Sequence, residues 1–186
     1  MLCACTSSDE KVIAKQTEKN KKPFFCPECL LEVILKKGNI NIHHFSHKPG
    51  SECSYGEGES EEHMRIKMEL YELLSKADIQ CDLEKRLVDN DGSVNIADVW
   101  AIIDGQEVAI EVQKSSISDE ELEERTKKYH KKNIAALWLV VKNNEVKTLN
   151  SIENWLKINT GRVYYYYQNN IRCKTLVPIS SKHSLV

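Results

Sequence analysis

Five cysteine and histidine residues in the first third of the chain have the spacing of a metal site. Cys26 and Cys29 are separated by two residues, as in a zinc knuckle, and His44, His47 and Cys53 follow within one short segment. The first pair with two of the other three would complete a four-ligand site of the Cys3His or Cys2His2 type. We predict Cys26, Cys29, His47 and Cys53 as zinc ligands, with His44 as the substitute. The alternative is a set of free thiols and surface histidines.

This site would be structural, because the protein fills all four positions around the ion. A region of about 50 residues with few large apolar groups has little core of its own. Zinc contributes about 10–16 kcal/mol of apparent binding free energy in small peptides, which is enough to organise such a region. The chain has seven cysteines, an odd number, and no visible secretion signal, so metal ligands or free thiols are favoured over disulfides.

Two carboxylates, Asp98 and Glu111, form the second candidate site. If Asp104-Gly105 is a two-residue type I′ turn, the strands on either side place Asp98 directly opposite Glu111. Like charges about 4 Å apart repel by about 4 kcal/mol at an effective dielectric constant of about 20. Such a pair is retained where a cation lies between the carboxylates or where they share a proton. A hard divalent cation such as Mg²⁺ would fit.

Glu111 shares its predicted strand face with Gln113 and Ser115, so a polar row points towards Asp98. The alternative is a surface pair of carboxylates neutralised by nearby basic residues, namely Lys85, Arg86 or Lys114.

Further candidate groups precede this pair along the chain. His63 and Lys67 are four residues apart on a predicted helix and share one of its faces, and Glu59 lies just before that helix. Glu84 could add a third carboxylate, but the longer turn after its strand leaves its register open. Each of these residues alone is equally consistent with an exposed position.

Periodicity and turn residues predict the elements that must position these groups. The N-terminal part comprises a hairpin over residues 2–16 and two β segments, Val33–Lys36 and Ile40–His44. The remainder comprises a helix at Ser60–Ala77, strands at Ile79–Val88, Val94–Ile103 and Glu107–Ser115, a helix at Asp119–Lys132, a strand at Ile134–Val141, a helix at Ser151–Ile158, and a hairpin of Arg162–Gln168 with Ile171–Val177 around Asn169-Asn170. The order is αβββαβ followed by αββ, an α/β fold.

Composition excludes several classes of protein. With 186 residues, a net charge of −2 and a pI near 6.3, the chain suits a soluble domain with a small appendage and does not coat nucleic acid by bulk charge. Local binding of nucleic acid remains open. The longest apolar run, Ile134–Val141, is too short to span a bilayer. We expect a cytoplasmic protein with no membrane partner.

The motifs together resemble the competence protein CoiA family over roughly residues 20–141. The residues that carry this resemblance are Phe25-Cys26-Pro27-Glu28-Cys29, His44-Phe45-Ser46-His47, Cys53, Glu59-Ser60, His63, Lys67, Leu70-Tyr71, Ala97-Asp98-Val99-Trp100, Ile110-Glu111-Val112-Gln113, Ser115, Glu124-Arg125, Tyr129 and Trp138.

The resemblance implies a zinc-binding region over residues 1–57 and a nuclease-like domain over residues 58–186 that ends in the trailing αββ element. That domain would belong to the restriction-endonuclease-like, PD-(D/E)XK class, whose αβββαβ core order matches the order expected above. It implies that Asp98 is the acidic residue of the second core strand, and that Glu111-Val112-Gln113 stands at the Glu-x-Lys motif. Glu59 is the candidate acid near the first helix. Arg125 and Tyr129 resemble a helix pair that recurs in some branches of the class.

Two functions follow. The first is a Mg²⁺- or Mn²⁺-dependent nuclease for single- or double-stranded DNA, in competence or recombination. Asp98 and Glu111 would hold the ion and Gln113 would position the nucleophile. The phosphate contacts would come from His63, Lys67, Arg125 and Tyr129. The second is a non-catalytic DNA-binding or adaptor factor that assists a partner enzyme in recombination or genome defence, which is favoured by Gln113 where many nucleases carry Lys. An adaptor that binds only protein is a further alternative.

Overall fold

The computed structural model describes residues 1–89, 91–143 and 149–175. This part of the chain is a mixed α/β protein with two sheets and three α-helices. It divides into two compact units, of which the first is Met1–Ala109 and the second begins at Ile110. Among the described residues, no helix is both long and apolar enough to cross a membrane.

The N-terminal part of the first unit is a five-stranded antiparallel sheet. Its strands are β1 (Cys3–Thr6), β2 (Lys11–Ile13), β3 (Phe24–Phe25), β4 (Glu32–Lys36) and β5 (His44–His47). They lie in the order β2-β1-β3-β4-β5, and β1 with β2 forms the hairpin predicted over residues 2–16. The rings of Phe24 and Phe45 lie 5.2 Å apart in the small core under this sheet.

The predicted strand Ile40–His44 is wrong. The observed strand β5 starts at His44 and runs to His47, and the preceding residues form a loop in which Ile40 is 94% exposed. Phe45 is buried and pairs with Leu35 across β4 and β5. Burial of the Phe45 ring stabilises this register more than burial of Ile40 would, because the ring has the larger apolar surface.

The first helix, α1 (Glu61–Lys76), lies within the predicted span Ser60–Ala77 and is one residue shorter at each end. The Ser60 side chain caps it by accepting a hydrogen bond from the N–H of His63. Its buried residues are Met64, Ile66, Lys67, Met68 and Leu70. Strand β6 (Cys81–Val88) follows and pairs antiparallel with β7 (Val94–Ile103), which has the predicted bounds. The first unit therefore buries one lysine on an otherwise apolar helix face.

Strand β8 (Gln106–Gln113) follows a two-residue turn and contains the boundary between the compact units. Asp104 and Gly105 both have positive φ, at 50° and 77°. Positive φ at both central residues defines the predicted type I′ turn. The strand ends two residues earlier than predicted, at Gln113.

The second unit contains α2 (Asp119–Lys131), β9 (Ala135–Val141), α3 (Ser151–Thr160), β10 (Arg162–Tyr167) and β11 (Asn170–Thr175). Strand β10 runs parallel to β9 and antiparallel to β11. The turn between β10 and β11 is formed by Gln168 and Asn169, both with positive φ, and not by the predicted Asn169-Asn170. The predicted strand end at Val177 lies outside the described residues. A buried cluster that includes Leu122 and Trp138 packs the helices on these strands.

The order of elements from α1 to β9 is therefore αβββαβ, followed by αββ, as predicted. Assignment to the restriction-endonuclease-like class stays a prediction.

Candidate functional site

The four predicted zinc ligands lie together in the first unit, and we call them the knuckle cluster: Cys26, Cys29, His47 and Cys53. One donor atom from each lies within 4.8 Å of the others. The Sγ of Cys29 is 3.4 Å from the Nε2 of His47. Three thiol sulfurs and one imidazole nitrogen thus converge on one point, although the four residues span 28 positions of the chain.

Two local structures bring these ligands together. After β3, the N–H of Leu30 donates to the carbonyl of Cys26, and the N–H of Cys26 donates to the carbonyl of Leu31, which closes the Cys-x-x-Cys turn. Strand β5 then places His47 at its end, paired with Val33. The register that buries Phe45 is therefore also the register that delivers His47 to the turn.

His44, the predicted substitute ligand, lies outside the knuckle cluster. It starts β5 opposite Lys36, and its Nδ1 lies 2.9 Å from the carbonyl oxygen of Ile42. His47, three residues further along the strand, takes the position near the thiols.

The donor set and spacing of the knuckle cluster fit a tetrahedral metal ion. Bonds of about 2.3 Å to sulfur and about 2.0 Å to nitrogen at a tetrahedral angle separate the two atoms by about 3.5 Å. The observed separation between Cys29 Sγ and His47 Nε2 is 3.4 Å. Burial raises the pKa of Cys26 to about 12, so binding of a metal ion would displace a proton there. The cluster could hold a metal such as zinc.

A second group in the first unit joins α1 to the strands β6 and β7, and we call it the charged cluster: Glu59, His63, Lys67, Glu84 and Asp98. Spacings of four residues place the first three on one face of α1 and the turn before it. His63 lies between two carboxylates, with Nδ1 3.1 Å from Glu59 and Nε2 3.2 Å from Asp98. The predicted helix residues therefore do face Asp98.

Lys67 is the centre of the charged cluster. Its side chain is 4% exposed, and its Nζ lies 2.7 Å from Glu84 and 3.5 Å from Asp98 and also contacts Glu59. A buried ammonium requires compensation of this kind, because desolvation of an unpaired charge costs several kcal/mol. Three carboxylates share one ammonium group.

Glu84 on β6 lies opposite Asp98 on the neighbouring strand β7. The pairs Leu83–Val99 and Lys85–Ala97 on either side fix this register, which the sequence left open. Glu84 itself has a φ of 49°, in the left-handed region. Two carboxylates are thus opposed within the first unit, with Lys67 in ion-pair contact with both.

The charges of the cluster shift the pKa values of its members. Burial alone would lower the pKa of His63, but hydrogen bonds to Asp98 and Glu59 outweigh it and raise the pKa to about 9. Burial would likewise lower the pKa of Lys67, and the three carboxylates raise it. Burial would raise the pKa of Glu59, and His63 and Lys67 lower it. At neutral pH both cations and the Glu59 carboxylate are therefore charged.

Glu59, His63 and Asp98 are also of a ligand type that suits a divalent cation. One donor atom from each lies within 4.8 Å of the others. Two carboxylate oxygens and an imidazole nitrogen suit Mn²⁺ better than Mg²⁺, which prefers oxygen ligands alone. Lys67 and protonated His63 offset the negative charge, so we expect weak binding of a cation in this position.

In the second unit, the Glu111 carboxylate is hydrogen-bonded to two residues of α2. The Glu111 side chain is 2% exposed, accepts a hydrogen bond of 2.6 Å from Arg125, and also accepts one from the hydroxyl of Tyr129. Arg125 lies over the ring of Trp138, 5.3 Å from its centroid. Tyr129 is fully buried. Both helix residues therefore hold Glu111, and their predicted contact with DNA stays a prediction.

Gln113 lies two residues after Glu111 on β8 and is mostly buried. Its side-chain amide donates a 2.7 Å hydrogen bond to the carbonyl of Ser115. The predicted opposition of Asp98 and Glu111 stays a prediction, although the turn on which it depends is confirmed.

Two residues of the first unit matter more than their sequence signals suggested. Glu84 was only an optional third carboxylate, and Tyr55, whose hydroxyl lies 3.2 Å from Glu84, gave no signal at all. A glutamate next to Leu83 in a predicted strand is a weak sign of a buried charge. Nothing near Tyr55 in the sequence indicates its contact.

Comparison with known proteins places this chain in a family. Residues 5–56 match the model described as the competence protein CoiA N-terminal domain, and residues 59–184 match the model of the competence protein CoiA nuclease-like domain. The chain is 28% identical over 185 residues to competence protein CoiA of Bacillus subtilis (strain 168), a match that covers 92% of this chain and 48% of that protein. The chain thus spans about half the length of that curated relative. Since the nuclease-like model alone covers more than half of the chain, the protein belongs to the competence protein CoiA family.

Proposed function

We propose that this protein is a divalent-metal-dependent nuclease that cleaves DNA, in the processing of incoming DNA during competence or in recombination. Membership of the CoiA family and the match to its nuclease-like domain support this role. The αβββαβ element order supports assignment of that domain to the restriction-endonuclease-like class.

The observation that carries the proposal is the environment of Asp98. This carboxylate lies between the imidazole of His63 and the ammonium of Lys67 and keeps 16% of its side chain exposed. Gln113 stands where many nucleases of the class carry a lysine and cannot supply positive charge. Lys67 supplies that charge from α1, beside the same carboxylate.

The chain's own residues would have distinct roles. Asp98, with His63 or Glu59, would hold the cation, which supplies Lewis-acid stabilisation of the phosphate and a more acidic water molecule. Lys67 would stabilise negative charge that develops on the phosphate. Gln113 would orient water by hydrogen bonding. Arg125 and Tyr129 would position Glu111, since both bind its carboxylate.

We further propose that zinc occupies the knuckle cluster in a structural role. Four protein ligands leave no open coordination position for a substrate. The core beside the cluster is small, and several of its members, Phe24 and Phe45 among them, come from short strands. Zinc would therefore stabilise this part of the first unit.

The test is a cleavage assay on single- and double-stranded DNA with added Mg²⁺ or Mn²⁺. Wild type should cleave, Asp98→Ala should not, and Glu10→Ala should act as wild type because Glu10 is an exposed carboxylate outside the cluster. Gln113→Lys should retain or raise activity, because it adds positive charge near the phosphate. A wild-type protein that is inert on both DNA forms with both metals would contradict the proposal.

One observation favours the second function, a non-catalytic factor that binds DNA and assists a partner protein in recombination or defence. The Gln113 amide is engaged with the Ser115 carbonyl, and Lys67 already offsets the charge of Asp98 without a metal. In that case, Asp98→Ala should leave DNA affinity unchanged. Affinity should instead fall steeply with salt, because contacts between basic residues and phosphates release counterions.

A further inference from the structure

We propose that the knuckle cluster holds Lys67 in place through Glu84, so that metal loading of the knuckle controls the charged cluster. Both clusters and every contact between them lie in the first compact unit. This link from the knuckle cluster through Glu84 to Lys67 does not depend on nuclease activity. An effect of the link on cleavage rests on the function proposed above.

Glu84 connects the two clusters. Its side chain is 2% exposed and binds Lys67 at 2.7 Å. From the N-terminal region it accepts hydrogen bonds from the N–H of Leu2, the N–H of Cys3 and the hydroxyl of Tyr55, at 2.9, 2.9 and 3.2 Å. A carboxylate buried to this degree is tolerated only while such donors compensate its charge. The N-terminal region thus supplies three donors to the Glu84 carboxylate, and Lys67 is the fourth.

Tyr55 is the donor that is closest in sequence to the knuckle. It follows Cys53 by two residues, and both pack with Cys29 against the core of the N-terminal sheet. A bound metal ion would fix the Sγ of Cys53 and with it the short segment that carries the Tyr55 hydroxyl. Loss of the ion would release that segment and remove one donor from Glu84.

The backbone of Glu84 shows that its position is imposed by its surroundings. Glu84 has a φ of 49° within a strand, which is a strained backbone conformation for a non-glycine residue. Such conformations persist where surrounding contacts determine them, and they concentrate at functional sites. When the contacts from the N-terminal region weaken, Glu84 can relax, and Lys67 loses its 2.7 Å ion pair with that carboxylate.

The experiment measures the accessibility of Lys67 directly. The full chain, zinc-loaded or stripped by a chelator and then reloaded with Zn²⁺, is exposed to an amine-acylating reagent, and each lysine is quantified by mass spectrometry. Loss of a hydrogen bond to a buried charge should raise acylation of Lys67 by about tenfold in the stripped protein. Reloading should restore protection. Lys142, in the second unit and 24% exposed, is the internal control and should not change.

Tyr55→Phe separates the link from general unfolding, because it removes only the hydroxyl. We expect this variant to keep its zinc and still show faster acylation of Lys67, whereas Tyr71→Phe, a hydroxyl removal on α1 itself, should match wild type. If stripping also raises acylation of Lys142, the zinc-free protein has unfolded, and Tyr55→Phe alone decides. Acylation of Lys67 that is unchanged in Tyr55→Phe would overturn the proposal.

A parallel cleavage assay keeps the two proposals distinguishable. Cleavage that falls in Tyr55→Phe together with faster Lys67 acylation supports the link and its catalytic consequence. Absence of cleavage in every sample contradicts the nuclease proposal only, since the acylation result still decides whether the link exists.

Discussion

Protonated His63 should stabilise the protein by an amount that shrinks as the pH rises. The imidazole lies between Glu59 and Asp98, at 3.1 and 3.2 Å. Burial alone would lower its pKa, but these two hydrogen-bonded carboxylates raise it to about 9, from 6.5. Only the charged imidazole can donate from both nitrogens at once.

The sign and size of the effect follow from this shift. Because the folded-state pKa is the higher one, the stabilisation is fully present below about pH 6.5 and is lost as the pH rises through about 9. A shift of about 2.5 units at 1.36 kcal/mol each gives roughly 3 kcal/mol as an upper value. The side chain is 22% exposed, so solvent screening reduces it somewhat.

The assay is urea unfolding followed by tryptophan fluorescence, at several values between about pH 6 and about pH 10, with no divalent cation added. The difference in unfolding free energy between wild type and His63→Gln should be largest at the acidic end and should fall towards the alkaline end. His130→Gln, at an exposed helix position, is the matched control and should show no such trend. A difference between wild type and His63→Gln that is constant with pH would refute the reasoning.

Three further outcomes are expected. Metal analysis should find about one zinc per chain, lost in Cys26→Ser and kept in Cys173→Ser, whose cysteine is exposed; a folded, zinc-free wild type would contradict this. Lys67→Met should lower the unfolding free energy by about 3–5 kcal/mol, because it leaves three carboxylates without their shared cation; equal stability in urea would count against the buried ion pairs. Tyr129→Phe should lower the unfolding free energy by about 1–3 kcal/mol, because the hydrogen bond to buried Glu111 is lost. Urea unfolding measures this loss, and Tyr164→Phe, at a half-buried position, is the control.

The sequence was sufficient to predict those parts of the structure that a few neighbouring residues determine. The Cys26-x-x-Cys29 spacing and the Asp104-Gly105 turn each depend on a few adjacent residues, and each is observed. The position of β5 was predicted wrongly because Ile40 and Phe45 both lie in short apolar patterns, and only packing in the core decides which is buried.

The charged cluster could be predicted in part. The helix spacing of His63 and Lys67 correctly placed both on one face. The role of Glu84 could not be predicted, because its donors in the N-terminal region are 29 to 82 residues away in the chain. No local pattern encodes a contact over such a separation.

The shared ammonium of Lys67 also constrains how this protein can evolve. Loss of the lysine alone leaves an excess of buried negative charge, and loss of Glu84 alone removes one of the three carboxylates that compensate the lysine. Changes that remove one cation and one carboxylate together keep the balance. We therefore expect the positions of Lys67, Glu84 and Glu59 to vary among relatives as a correlated set, with neutral pairs replacing charged ones, while each single replacement is rare.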